Sequence, residues 1–188
     1  MRIFIAADLS KEVRKALGDV QRALRPVSDT ARWVAPESIH ITLKFIGEVP
    51  PEKTKAIEAA LAPIQTPAPI EMDFRGVGFF PNDRHPRVFW AGIEGGKELA
   101  ELAVAVEASL EPLGIAREQR AFSPHLTLAR FESPRGLDAL RAAIASAGPL
   151  EFGRTTAREF HLYQSILKPS GAEYTRLATY HFAGSGAQ

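Results

Sequence analysis

The 188-residue chain has no cysteine. That removes disulfide scaffolds, thiolate nucleophiles and cysteine-ligated zinc from consideration. It also has little net charge: 23 lysines and arginines stand against 22 aspartates and glutamates, leaving +1 at pH 7. Such a balance does not suit broad, non-specific binding to long duplexes, although a short nucleic-acid end needs only a few local cations. No apolar run approaches the length that spans a bilayer. The opening MRIFIAADLS turns charged at Lys11 and Glu12 and has no small-residue cleavage site, so it reads as a first strand and not as a signal. A cytoplasmic protein is expected. Walker loops, Gly-rich dinucleotide fingerprints and Gly-x-Ser-x-Gly elbows are missing as well. What remains is ordinary globular composition, 45% apolar and 24% charged, which is enough to bury a core.

What the chain does contain is a repeated tetrapeptide, His40-Ile41-Thr42-Leu43 and His125-Leu126-Thr127-Leu128. With five histidines, nine threonines and seventeen leucines, chance supplies about 0.02 copies of His-x-Thr-Leu. Each copy reads as a β-strand whose histidine and threonine share one face while the apolar residues share the other.

The copies are 85 residues apart, and other segments repeat at that offset. Ile3-Phe4-Ile5-Ala6 matches Val88-Phe89-Trp90-Ala91, an apolar strand in both cases. An amphipathic helical pattern follows each, over residues 11–25 and 96–113. Then come the His-x-Thr strand, a second helix opened by a proline turn (residues 51–62 and 134–147), and a closing strand with an aromatic. Those closing strands, Phe74-Arg75-Gly76-Val77 and Phe160-His161-Leu162-Tyr163, are offset by 86. Strand–helix–strand–helix–strand thus occurs twice, over residues 1–85 and 86–183. The expectation is one duplicated α+β domain, two lobes related by a pseudo-two-fold axis with the motifs facing across it. A single α+β domain with coincidental spacing is the plainer alternative. A final hairpin is expected from residues 160–167 through Lys168-Pro169-Ser170-Gly171 to residues 172–182, with residues 184–188 as a flexible tail.

Imidazole is the one side chain whose unperturbed pKa, about 6.5, suits proton transfer in either direction near neutrality. Two of them on opposite sides of a phosphorus can divide the work: one takes the proton of an attacking water while the other protonates the departing oxygen. Thr42 and Thr127 offer hydroxyls to the non-bridging phosphate oxygens. Arg130 can add a fork of charge-assisted hydrogen bonds, but it lies five residues after His125, so strict alternation puts it on the opposite face. A twist or a bulge at the strand end, or the reach of the side chain, is needed to bring it round. Its counterpart in the first copy, Phe45, reads as core. Two histidines lack the third ligand that zinc normally takes, and neither motif contains Asp or Glu, so neither metal nor cofactor is expected. His85, His161 and His181 read as structural or exposed, and Trp33 and Trp90 as core. The symmetry of the two motifs leaves open which histidine is acid and which is base.

Taken together, these residues resemble the two-histidine (2H) phosphoesterase superfamily. Within it they resemble the bacterial and archaeal RNA 2′,3′-cyclic phosphodiesterases, historically called 2′-5′ RNA ligases. The likeness runs through RIFIAADL, Arg32-Trp33-Val34, HITLKFIGEV, FRGVGFFPN, SPHLTLAR and LYQSILKPSGAEY, nearly the whole chain. It implies a bilobal α+β fold, each lobe with an antiparallel sheet and helices, and an active-site cleft between them. It further implies hydrolysis of RNA 2′,3′-cyclic phosphate ends, or of small cyclic nucleotides, to a 2′-phosphate. In that scheme His40 is the proton donor, His125 the proton acceptor, and Thr42, Thr127 and Arg130 hold the phosphate. A monomer without membrane association is expected. Two alternatives stand beside this reading: a nucleotide or RNA-end binding module without turnover, and 2′-5′ RNA ligation as the main role.

Overall fold

The first strand, β1 (Arg2–Ala7), is apolar from its second residue onward, as suits a strand covered on both faces, and Ile3 to Ala7 are all buried. The computed structural model describes residues 1–28, 30–133, 135–169 and 171–184. In it β1 runs through an antiparallel four-stranded sheet ordered β3 (Ile41–Glu48), β1, β8 (Glu159–Lys168), β9 (Gly171–His181). A second antiparallel sheet is ordered β2 (Ala31–Trp33), β6 (His125–Phe131), β5 (Val88–Glu94), β4 (Ile70–Phe80), β7 (Glu151–Ala157).

The duplication is built by exchange. β1 lies between β3 and β8, and its counterpart β5 lies between β6 and β4. Each sheet therefore takes its third equivalent strand from the other half of the chain, and a cut between residues 85 and 86 would leave both sheets short of a strand. The helices cross over too. α1 (Lys11–Leu24) follows β1 yet packs on β7 and touches α4 (Leu137–Ala147), whereas α3 (Gly96–Leu110) follows β5 yet packs on β3 beside α2 (Thr54–Leu61). One apolar cluster results, in which Leu17, Ile57, Phe74, Phe89 and Phe160 are all essentially inaccessible. Burying each such side chain contributes roughly 1.5–3 kcal/mol.

Helix boundaries follow local chemistry. Ser10 caps α1, its hydroxyl accepting from the Val13 amide at 3.2 Å, and Val13, Leu17, Gln21 and Leu24 form the buried stripe. α3 ends in a 3₁₀ turn, Glu111–Leu113, with Gly114 left-handed behind it. The helix expected over residues 51–62 opens as a 3₁₀ turn, Pro51–Lys53, before α2. The helix expected from Pro134 begins at Leu137, after Gly136 at φ 80°. Pro134 itself, Ser170 of the expected hairpin turn, and residues 185–188 of the expected tail lie outside the described residues. β8 and β9 pair as far as Lys168 opposite Gly171. Among the described residues no helix is long and apolar enough to cross a membrane.

Candidate active site

Both motifs sit at strand beginnings: His40 immediately precedes β3, and His125 opens β6. The two imidazoles are anchored alike. Nδ1 lies 3.1 Å from the Ser38 carbonyl oxygen in one and 2.8 Å from the Ser123 carbonyl oxygen in the other. A carbonyl only accepts, so Nδ1 carries the proton and Nε2 is the basic nitrogen of the neutral ring. Ser38 and Ser123 are themselves 85 residues apart, so the repeat extends to the segment that sets the tautomer.

Both strands carry a β-bulge at the same place. Ile5 pairs with Lys44 and Ala6 with Thr42, which leaves Leu43 as the extra residue on β3. Phe89 pairs with Ala129 and Trp90 with Thr127, which leaves Leu128 as the extra residue on β6. One inserted residue reverses the alternation beyond it. Leu43 and Lys44 are consequently both buried, as are Leu128 and Ala129, and the next residues, Phe45 and Arg130, return to the face of their histidines. The sequence reading of Phe45 as core is thereby corrected: it is 52% exposed, with the Arg2 guanidinium 4.8 Å above its ring.

One cavity of about 480 Å³ between the sheets is lined by His40, Thr42, His125, Thr127 and Arg130 together. Among the described residues the side chains of Thr42, Thr127 and Arg130 form no hydrogen bond or ion pair within the protein, so their donors are available to a guest. Arg2, Phe4, Phe45 and Tyr174 complete the working surface. Trp33, expected in the core, also lines the cavity, with its indole N–H donating to the Ser28 carbonyl. Trp90 lies over Gly78, where a Cβ would come 2.3 Å from the ring. His85 is in the exposed loop before β5, and His181 pairs with Glu159 at 2.9 Å, away from the cavity.

Helix α1 braces both motifs from outside. Arg14 donates to the carbonyls of Pro36 at 2.5 Å and Ile39 at 3.1 Å, in the segment leading to His40. The buried Gln21 amide donates to the Val34 carbonyl at 2.7 Å and, at 3.0 Å, to the carbonyl of Leu128, the bulge residue of the second motif. No sequence signal marked either residue, because an arginine and a glutamine on an amphipathic helix usually face water.

The surroundings of the two histidines differ. His40 is 9% exposed and packs among Phe4, Tyr163 and Tyr174, with ring centroids 4.9–6.0 Å away. Burial pushes its pKa below the ordinary 6.5, opposed by the Ser38 carbonyl and the Asp8 carboxylate. Burial likewise lowers His161, which is inaccessible to solvent and bonds Thr179 through Nδ1 at 3.0 Å. Both rings are held neutral in the fold, so the unfolded chain takes up protons first as the pH falls. Their contribution to stability is complete above about pH 6.5 and declines below it. The melting temperature is therefore expected to fall between about pH 7.5 and 5.5, and His161→Gln should flatten that dependence. A melting temperature rising over that interval would contradict the assignment.

The comparisons agree with this geometry. The family model described as LigT like Phosphoesterase matches residues 8–90 and 93–174. An RNA 2′,3′-cyclic phosphodiesterase of Archaeoglobus fulgidus is 38% identical over 182 residues, covering 96% of this chain and 99% of that one. Another from Thermus thermophilus is 37% identical, with 98% and 91% covered. Among solved structures, a protein of Thermus thermophilus superposes with a TM-score of 0.79 at 35% identity, with 96% and 97% covered. LigT of E. coli complexed with 3′-AMP superposes with a TM-score of 0.80 at 28% identity, over 96% and 97%. Twin His-x-Thr strands, bulged alike and opening on one cavity, are thus found in a chain whose whole length matches a known group, and this chain belongs to the LigT-like phosphoesterases of the two-histidine superfamily.

Proposed function

We propose that this chain hydrolyses 2′,3′-cyclic phosphate ends of RNA, or small cyclic nucleotides, to the 2′-phosphate without a metal. The observation that carries this reading is the single cavity lined by both motifs and Arg130, with both Nδ1 atoms tied to carbonyls. The names of the relatives, at 38% and 37% identity, point to the same chemistry.

In this scheme His125 Nε2 takes a proton from water as the water oxygen bonds to phosphorus. The bond from phosphorus to the 3′ oxygen breaks, and that oxygen leaves with the proton of His40 Nε2. Thr42 and Thr127 donate to the non-bridging oxygens, and Arg130 stabilises the charge that accumulates on them. If a 5′-hydroxyl replaces water, the same pair joins ends in a 2′-5′ linkage. Water at about 55 M favours hydrolysis unless the second RNA is held in place. We place the enzyme in the cytoplasm as a monomer.

The test is to incubate the protein with an oligonucleotide ending in a 2′,3′-cyclic phosphate, with EDTA present, and identify the product. A 2′-phosphate end formed at the same rate with and without chelator is the expected result. A 3′-phosphate, or activity abolished by EDTA, would exclude this mechanism. Tight binding of 2′-AMP without conversion would leave a binding module.

A further inference from the structure

The two histidines are equivalent in sequence, in Nδ1 anchoring and in the bulge that follows. They are unequal in what faces Nε2. Asp8, one residue beyond β1, places Oδ1 3.5 Å from Nε2 of His40. The position 85 residues on is Ile93, apolar and buried. His125 meets the edge of the Phe80 ring instead, with centroids 4.9 Å apart, and among the described residues it forms no ion pair.

Asp8 is held from several sides. The Tyr163 hydroxyl donates to Oδ1 at 2.6 Å and Arg176 Nη2 donates to Oδ2 at 2.6 Å. Nε2 of the buried His161 lies 3.6 Å from Oδ2, and among the described residues that nitrogen has no hydrogen-bond partner. Burial would raise the Asp8 carboxyl, but Tyr163, the two imidazoles and Arg176 outweigh it, and the group stays ionised below its usual range. Tyr163 is correspondingly pushed up to about 12, by burial first and by this bond second. Asp8 is therefore a fixed negative charge between two rings, in the wall between the motif cavity and a larger cavity of about 750 Å³.

The consequence for His40 follows from its tautomer. With Nδ1–H committed to Ser38, a neutral ring points the Nε2 lone pair toward a carboxylate, which is repulsive. A protonated ring points N–H there, which is attractive. We propose that Asp8 is the positioning residue that assigns the proton-donor role to His40 and leaves His125 as the acceptor. This rests on the acid–base reading of the cleft and supplies the asymmetry that the repeat withholds. The other charges facing His40 are Arg14 of α1 and Arg176 of β9, both opposing its protonation. Tyr163 of β8 and Tyr174 of β9 face it as neutral rings.

Two variants separate this role from a merely structural one, because they shift His40 in opposite directions. Asp8→Asn keeps the shape and an acceptor for Tyr163 but removes the charge. The alkaline limb of the kcat/KM profile, set by the group that must be protonated, then moves to lower pH while the acid limb stays. Turnover drops about tenfold or more with KM little changed. Tyr163→Phe keeps the ring but frees Oδ1 from its competing donor, so the alkaline limb moves to higher pH. Imidazole NMR titrations of the same proteins should show His40 moving down in the first and up in the second, with His125 unmoved. If His40 titrates alike in wild type and both variants, or if His125 moves equally, Asp8 does not assign the roles. The titrations need no substrate, so this inference and the proposed activity can fail separately.

Discussion

Replacing either His40 or His125 by alanine is expected to lower kcat on a 2′,3′-cyclic phosphate by at least about 10²-fold, the usual contribution of one positioned proton transfer. Replacing both should lower it by much less than the product of the two single losses. Donor and acceptor act on opposite sides of one phosphorus, and each transfer depends on the other. Kd for 2′-AMP should change by far less than kcat, since Thr42, Thr127 and Arg130 still line the cavity. His40 also fills space among Phe4, Tyr163 and Tyr174, so thermal melts should accompany the kinetics to show that the His40→Ala chain is folded. Wild-type turnover in either single variant removes that histidine from the mechanism.

A loss of stability is expected at Lys44, whose side chain is only 7% exposed. Its ammonium donates to both carboxylate oxygens of Glu107 on α3, at 2.8 and 2.7 Å, and to the Ala116 carbonyl at 2.7 Å. The bulge at Leu43 is what turns a lysine inward here, on the strand that His40 leads. Lys44→Ala leaves a mostly buried carboxylate and a carbonyl without their donor. The expected cost is about 3 kcal/mol, at the low end for a broken buried pair because Glu107 is 16% exposed. In a chain of this length that is roughly 6–12 °C in melting temperature. The double replacement Lys44→Met with Glu107→Leu should recover most of the loss, because a buried ion pair and an apolar pair of similar volume are often near parity. Urea denaturation of both variants beside the wild type measures this. A Lys44→Ala chain within about 0.5 kcal/mol of wild type would show that the pair is not holding α3 to β3.

Much of the site could be read along the chain because it is encoded locally and twice. His-x-Thr alternation places an imidazole and a hydroxyl on one face, and an 85-residue repeat of strand and helix patterns brings the two faces into relation. Arg130 shows where that reading stops. Its parity along β6 pointed away from the site, and only the bulge at Leu128 returns it to the cavity. Phe45 was misplaced for the same reason, its parity reversed by the bulge at Leu43. Strand β7 went unread because its polar run Arg154-Thr155-Thr156 lacks an apolar alternation, although Phe152 and Ala157 are buried against the core.

The repeat period, the acid–base chemistry of the two motifs and the order of the larger elements were determined by the sequence by itself, since all of these are patterns between near neighbours or between copies. The exchange of strands and helices between halves, the parity of Arg130 and Phe45, and the carboxylate beside His40 were decided only by the tertiary structure. Asp8 meets Tyr163 and Arg176 from 155 and 168 residues away, through the pairing of β1 with β8 and of β8 with β9. Register and bulges are settled where two strands meet, by how both bury their side chains, and no single strand carries that information in its own residues.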